Sequence, residues 1–152
     1  VQRKATLSAA RKAMKPMAKA MKSGARRVAD SGLLAKSIGV VGKNYRGSGI
    51  VVVLIGVRKG FTRQIGSVVS DPRKYAHLVE FGTKPHVIKA KKAGGVLKIG
   101  QQTVRGEVRH PGTAPQGFMR KAFGSKVRAA ERKFAGLLAK AIATEAAKLR
   151  AK

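Results

Sequence analysis

Several kinds of residue are absent or scarce in this chain of 152 residues. It contains no cysteine, which excludes disulfides, thiolate metal sites and cysteine nucleophiles. It contains no tryptophan and few other aromatic residues, five Phe and two Tyr, so stacking on single-stranded nucleic acid is poorly supported. No apolar run approaches the roughly 18 residues that a membrane span requires, and the N-terminal segment lacks the apolar block of a signal peptide. We therefore expect the protein to act where it is made, or in a particle assembled there, and not in a membrane.

Acidic residues are also scarce, whereas basic residues are abundant. Six Asp and Glu stand against 34 Lys and Arg, which gives a formal net charge of +28. Self-repulsion of this size destabilises an isolated compact monomer unless a polyanion or an acidic partner screens it. The charge therefore predicts contact with DNA phosphate, without sequence specificity, or with an acidic protein.

The scarcity of acids also argues against catalysis. A metal-dependent hydrolase needs clustered carboxylates, and only Asp71, Glu80 and Glu107 lie in the central region of the chain. The three histidines lack the short spacing to carboxylates that is typical of metal sites. No phosphate-binding loop is present. We predict that the protein is not an enzyme and that it has no catalytic residues, no metal ligands and no cofactor.

Both ends of the chain have helical periodicity. Residues 1–30 predict an N-terminal helical segment with an apolar stripe formed by Leu7, Ala10, Met14, Met17 and Met21. Pro16 interrupts this stripe and predicts either a kink or a break at which a second helix begins. Residues 118–152 keep one apolar face, to which Phe123 belongs, and predict a long C-terminal helix.

The residues between the helices predict β-structure. Leu33–Val41 and Ile50–Val57 flank a turn-rich stretch and predict a hairpin. Because nearly every residue of the second run is apolar, we expect both of its faces to be covered. Residues 58–74 predict a loop. The whole chain, residues 1–152, is therefore predicted to be a single α+β domain, a small antiparallel sheet packed by two long helices.

A protruding basic β-arm is predicted over residues 84–109. Its expected strands are Lys84–Lys89, Val96–Ile99 and Thr103–Arg109. The glycine-containing stretch of residues 90–95 is predicted to form the exposed tip. The arm supplies the candidate contacts to DNA or to an acidic partner, which are Lys89, Lys91, Lys92, Lys98, Arg105 and Arg109.

Two motifs stand on either side of this arm. Tyr75-Ala-His-Leu-Val-Glu-Phe-Gly-Thr83 is a short helix-like run that Gly82 ends. His110-Pro-Gly-Thr-Ala-Pro-Gln-Gly-Phe118 carries a second Gly-Thr turn and leads into the C-terminal helix. In this pair the chain resembles the tail-completion, or neck, proteins of long-tailed bacteriophages, in which a tyrosine-led V-E-F-G-T segment and a P-x-x-F-x-x-x-A helix start occur in the same order.

The resemblance implies a structural protein of the virion, assembled in the host cytoplasm. It would form or cap a ring at the head–tail junction, around the DNA channel, with six-fold or twelve-fold symmetry. The implied partners are further copies of the chain, the neighbouring head-connector and tail proteins, and DNA phosphate. The residues that match the family motif, and would build the subunit and its interfaces, are Tyr75, Glu80, Phe81, Gly82, Thr83, Pro115, Phe118 and Ala122.

Alternatives stay open at this point. Glu80 would serve as a local salt bridge or helix cap, or as an inter-subunit ion pair that fixes register in a ring. The whole protein would alternatively be a non-sequence-specific DNA-binding protein of the nucleoid type, which explains the charge better and the Gly-Thr motifs worse. Membrane-active basic helices are a third reading, but they lack aromatic anchors.

Overall fold

A computed structural model describes residues 2–28, 32–45, 48, 50–66, 68–90, 94–99 and 102–151. The elements follow one another as α1 (Gln2–Val28), α2 (Leu33–Ser37), β1 (Ile38–Asn44), β2 (Val51–Val57), β3 (Arg63–Ile65), β4 (Val68–Ser70), α3 (Pro72–Phe81), β5 (His86–Lys89), β6 (Val96–Ile99), β7 (Gln102–Arg105), β8 (Glu107–His110) and α4 (Phe118–Arg150). The described strands pair as four two-stranded antiparallel sheets, β1–β2, β3–β4, β5–β8 and β6–β7. The predicted α+β class is confirmed, with several small sheets where one was expected.

The two long helices, α1 and α4, pack against each other in antiparallel orientation. Gly24 near the end of α1 lies against Phe118 at the start of α4, while Ala5 at the other end lines a cavity with Leu138 and Ile142. Small side chains let the two backbones approach closely, and the core cluster draws on both helices: Met17, Met21, Ala25, Phe118, Ala122 and Ala130. The helix pair is therefore the main packing unit of the protein.

Pro16 lies inside α1, which continues through it from Gln2 to Val28. Of the two predicted alternatives, a kink or a break, the break is wrong. Proline in a helix interior costs about 3 kcal/mol through the lost N–H and the ring clash. Burial of Ala13 and Met17 on either side of Pro16 offsets this cost, because an interruption of the helix there would expose both side chains.

The first predicted strand was placed too early. Leu33–Ser37 form the short helix α2, and β1 begins only at Ile38. Gly32 enters α2 with a φ of 63°, and Leu33, Leu34 and Ala35 are then buried together. Successive side chains of a helix point about 100° apart, and all three are buried because α2 packs against α1, α3 and the β1–β2 hairpin.

The hairpin of β1 and β2 is confirmed, with a register running from Ile38 opposite Val57 to Asn44 opposite Val51. Ile55 and Val57 pack against the core. The opposite face carries Val41 and Leu54, which are paired in register and are 40% and 51% exposed. The expectation that both faces of β2 are covered is wrong for the single chain, because α1 covers only one of them.

Residues 58–74 are more ordered than predicted. They contain the hairpin of β3 and β4, and α3 then begins at Pro72. Strands of three residues are too short to show an alternating pattern, which explains why the sequence did not reveal them.

The β-arm has a different tip from the one predicted. β5 pairs with β8 at its base, and β6 pairs with β7 farther out, so the chain reverses between Ile99 and Gln102. The predicted tip at residues 90–95 is wrong, because β6 and β7 pair beyond it; residues 91–93 lie outside the described residues. Gly106 has a φ of 88° and splits the predicted strand Thr103–Arg109 into β7 and β8. Lys91 and Lys92 lie outside the described residues.

No described helix is both long and apolar enough to cross a membrane.

Candidate functional site

The two Gly-Thr turns meet at the base of the arm. The Thr83 amide donates to the Thr113 carbonyl oxygen at 2.9 Å, and the Thr113 amide donates back to the Thr83 carbonyl oxygen at 3.1 Å. Gly82 and Gly112 have φ values of 73° and 88°, and a Cβ atom on either would collide with the carbonyl oxygen of the opposite threonine. Both positions therefore require glycine. We call residues 82–83 and 112–113 the clasp.

Backbone hydrogen bonds continue from the clasp into the two helices beside it. The Gln116 amide donates to the Val79 carbonyl at 3.0 Å, and the Gly117 amide donates to the Glu80 carbonyl at 3.1 Å. These bonds tie the last turn of α3 to the residues that precede α4. The two Gly-Thr turns, which are separate motifs in the sequence, thus form one corner.

Glu80 caps α4 from a distance of about forty positions along the chain. Its carboxylate accepts from the Met119 amide at 2.8 Å and from the Arg120 amide at 3.0 Å, and the residue is buried. Gly117, which precedes α4, offers no side-chain cap. Two of the amides that a helix start leaves unpaired are thereby satisfied by a negative charge at the positive end of the helix dipole. Among the open roles of Glu80, the helix cap is the one that the structure shows.

The start of α3 has its own cap. Asp71 accepts from the Arg73 amide at 3.0 Å, and its carboxylate also forms an ion pair with the Arg73 guanidinium at 2.6 Å. Pro72 occupies the first helical position, where its missing N–H costs nothing. The side-chain and backbone hydrogen bonds from Arg73 hold the pKa of Asp71 below its ordinary value and raise the pKa of Arg73.

Most of the predicted motif residues lie inside the molecule. Phe118 and Ala122 belong to the core, and Tyr75 packs against it half-buried. Pro115 lies beside Gly82. The side-chain oxygen of Thr83 is buried and has no hydrogen-bond partner among the described residues. These residues build the corner, and their contribution to subunit interfaces stays a prediction.

Phe81 and Pro115 are the exposed residues among those of the motif. Phe81 is 63% exposed, and the Arg120 guanidinium lies 5.9 Å from the centre of its ring. It borders a groove of about 630 Å³ between α3, α4 and β2. Phe123, which was predicted to lie on the apolar face of the last helix, lines the same groove and is 54% exposed.

Comparison with known protein families bears on the first 82 residues, which are more than half of the chain. They match the family model HK97-gp10-like, whose description is gp10 of bacteriophage HK97, a candidate tail component. The chain belongs to the HK97-gp10-like family. The resemblance to structural proteins of the phage tail region, inferred from the motifs, is thereby confirmed. The matched segment ends at Gly82, so it includes α1, the β1–β2 hairpin and α3, and leaves the second motif outside.

No curated protein and no solved structure matches this HK97-gp10-like chain.

The candidate phosphate contacts of this family member lie on the arm. Lys89 forms an exposed ion pair with Glu107 at 3.2 Å, across the β5–β8 pair. Arg105 on β7 and Arg109 on β8 are exposed. Lys98 lies on β6, opposite Thr103. Their contact with DNA or with an acidic protein stays a prediction.

Metal binding finds no support in the described part of this HK97-gp10-like protein. Its described His, Asp and Glu residues form no group of three or more that could hold an ion. His86 and His110 do meet, with ring centres 5.0 Å apart. They lie opposite each other at the base of the arm, and no described Asp or Glu joins them to make a group of three potential metal ligands.

Proposed function

We propose that the protein is a structural subunit of the phage neck. It forms or caps a ring around the DNA channel and joins the head connector to the tail, in a virion assembled in the host cytoplasm. Membership of a phage tail-component family is the observation that carries this proposal. In this role the chain is not an enzyme, needs no cofactor, and acts as one domain over residues 1–152.

Exposed apolar surfaces support assembly with other copies. One is the outer face of the β1–β2 hairpin, with Val41 and Leu54. Another is the far end of α4, where Ile142 and Leu149 are 61% and 76% exposed. Closed rings require two different surfaces that meet head to tail, and these two lie on different elements of the chain.

The clasp supports a role for the arm in such an assembly. β5 begins three residues after Thr83, and β8 ends three residues before Thr113. The clasp therefore ties both ends of the arm to the corner of α3 and α4. We propose that this corner sets the direction of the arm, and that the arm reaches a neighbouring ring and carries contacts through Lys98, Arg105 and Arg109.

Quantitative mass spectrometry of purified particles tests the neck assignment. The copy number is normalised to the major shell protein, and we expect about six or twelve copies per particle, as closed-ring symmetry requires. A protein that is absent from particles, or present at hundreds of copies, is not a neck subunit.

Deletion of the outer part of the arm tests its role. Removing residues 95–105 joins Gly94 to Gly106 and leaves the β5–β8 pair in register. We expect the variant to keep its thermal stability but to fail in joining heads to tails. Normal particle yield with the shortened arm would remove the arm from the proposal.

The excess of basic residues favours a second function, DNA binding without sequence specificity. The described residues of α1 and α4 carry many exposed lysines and arginines, among them Lys12, Lys19, Arg128 and Arg132. A DNA-binding protein of this kind loses duplex affinity steeply as salt rises and is found on cellular DNA. A neck subunit is found in particles, so fractionation of an infected culture separates the two functions.

A further inference from the structure

The groove between α3, α4 and β2 is an apolar cleft to which the proposed ring assigns no role. We call it the α3–α4 groove. Phe81 and Phe123 stand at its rim with more than half of each side chain exposed, although the chain has only five phenylalanines. The rest of its apolar lining comes from Met21, Ile55, Val57, Ala76 and Met119.

Aromatic and methionine side chains are suited to binding a partner. Phenylalanine offers a large apolar contact area, and methionine adapts to partners of different shape because its side chain is flexible and polarisable. Concave apolar surfaces with a few polar groups at the rim are typical of docking sites for partner segments. The groove has this composition.

The polar groups at the groove are basic. Arg73, His77 and Arg120 line it, and the Arg120 guanidinium lies over the Phe81 ring. Glu80 is the one carboxylate among the lining residues, and both of its oxygens accept hydrogen bonds from α4 amides. The Arg73 guanidinium is already paired with Asp71, so among the described lining residues Arg120 is the cation that the groove offers to an occupant. The described lining holds no carboxylate that is free to meet a cation.

A second copy of this chain is poorly matched to such a groove. Each copy carries a net charge of +28. Of its described acids, Asp71, Glu107 and Glu145 are paired with its own basic side chains, and Glu80 caps α4. The remaining described acid is Glu131, which is exposed and stands next to Arg132 and Lys133 in the sequence. The exposed apolar end of α4 carries Lys148 and Arg150 beside Leu149. Charge complementarity therefore points to a different protein, one that combines apolar side chains with carboxylates.

We infer that the α3–α4 groove is a docking site for an acidic, apolar segment of another protein. Apolar side chains of that segment pack between Phe81 and Phe123, and a carboxylate of the segment pairs with Arg120 at the rim. That the partner is a neighbouring virion protein rests on the proposed function, whereas the chemistry of the segment rests on the groove alone.

A synthetic peptide tests this inference on the full chain. The probe is an amphipathic helix of about 16 residues with leucines at helical spacing and glutamates on the other positions. A second peptide carries glutamine in place of glutamate. Affinities are measured by fluorescence anisotropy at about 0.15 M salt, where long-range attraction to the basic surface is screened. We expect the glutamate peptide to bind at least about tenfold more tightly.

Matched variants separate the groove from the general positive charge. Phe123→Glu places a negative charge in the groove, and Leu149→Glu makes the same change in net charge at an exposed position of the same helix. We expect Phe123→Glu to weaken binding of the glutamate peptide by about tenfold or more relative to Leu149→Glu. Phe123→Ala, compared with Leu149→Ala, repeats the test without a new charge, and circular dichroism confirms that each variant is folded.

Three results would overturn the inference. Equal affinity of the Phe123 and Leu149 variants would mean that the peptide binds the basic surface at large. Equal affinity of the glutamate and glutamine peptides would remove the acidic character of the partner. Self-association of the wild-type chain that Phe123→Glu abolishes would make the groove an interface between copies. Because the assay needs no particles, its outcome is independent of the copy number that tests the neck assignment.

Discussion

Removal of the Glu80 carboxylate is predicted to destabilise the fold through α4. Glu80→Ala leaves the amides of Met119 and Arg120 without their acceptors. Hydrogen bonds to a charged group contribute about 1.5–3 kcal/mol each. The groove beside Glu80 lets water reach part of the site, and the two bonds are not additive. We therefore expect a loss of about 2–4 kcal/mol in the free energy of unfolding.

Glu80→Gln separates the charge from the hydrogen bonds. The amide retains one acceptor oxygen but loses the attraction to the helix dipole, which is worth about 0.3–1 kcal/mol and up to about 2 in buried sites. We expect this variant to lose about 1–2 kcal/mol. The expected order of stability is therefore wild type, Glu80→Gln, Glu80→Ala.

Urea unfolding measures these differences, because urea leaves the ionic strength unchanged in a chain of this charge. Glu131→Ala is the matched control, since it removes an exposed carboxylate from the same helix and raises the net charge equally. We expect the control to change stability by less than about 0.5 kcal/mol. Hydrogen exchange at the Met119 and Arg120 amides gives a local readout. If Glu80→Ala and Glu131→Ala are equally stable, the capping argument is refuted.

Three further predictions concern the clasp and the cap of α3. Gly82→Ala is expected to lower the free energy of unfolding by more than about 2 kcal/mol, because φ at position 82 is positive and the added Cβ would meet the Thr113 carbonyl. The control is Gly136→Ala, at an open position of α4, which is expected to stabilise the fold by about 0.5–1 kcal/mol. Thr83→Val is expected to leave the melting temperature unchanged or to raise it, since it removes a buried hydroxyl that has no hydrogen-bond partner among the described residues. A lower melting temperature would mean that the hydroxyl does have a hydrogen-bond partner. The pKa of Asp71 is lowered in the fold, so its contribution to the free energy of unfolding is present above the pKa of an unfolded Asp, about 3.9, and is lost as pH falls through the lower folded value. Asp71→Asn is expected to flatten the pH dependence of the unfolding free energy in that acidic window. An unchanged slope would contradict this.

The sequence predicted the helices and the corner motifs better than the strands. The apolar stripe of residues 118–152 predicted α4, and the run before Gly82 predicted α3. Leu33–Ser37 were assigned to a strand because five apolar-rich residues carry no decisive period, and only their burial beside α1 selects a helical turn. The arm tip was assigned from glycines at residues 94 and 95, whereas the register of β5 with β8 places the reversal elsewhere.

In the candidate site, too, the sequence predicted the local motifs but not the contacts between them. Both Gly-Thr turns were visible as motifs, but nothing in their spacing predicted that Thr83 and Thr113 pair. Glu80 stood out as one of six acids, yet its role as a cap depends on amides about forty positions away. Phe123 was placed on an apolar helix face, and its exposure in the groove followed only from the path of α3.

What the sequence by itself determined were local properties and totals: the charge of +28, the absence of cysteine, the helical periods and the glycines at two turns. These follow from residue type and short-range spacing, which need no knowledge of contacts. The tertiary structure alone decided which face of the β1–β2 hairpin is left exposed, where the arm reverses, and which carboxylate starts α4. Each of these depends on contacts between residues far apart in the chain, because burial and hydrogen-bond partners are set by packing rather than by neighbours in sequence.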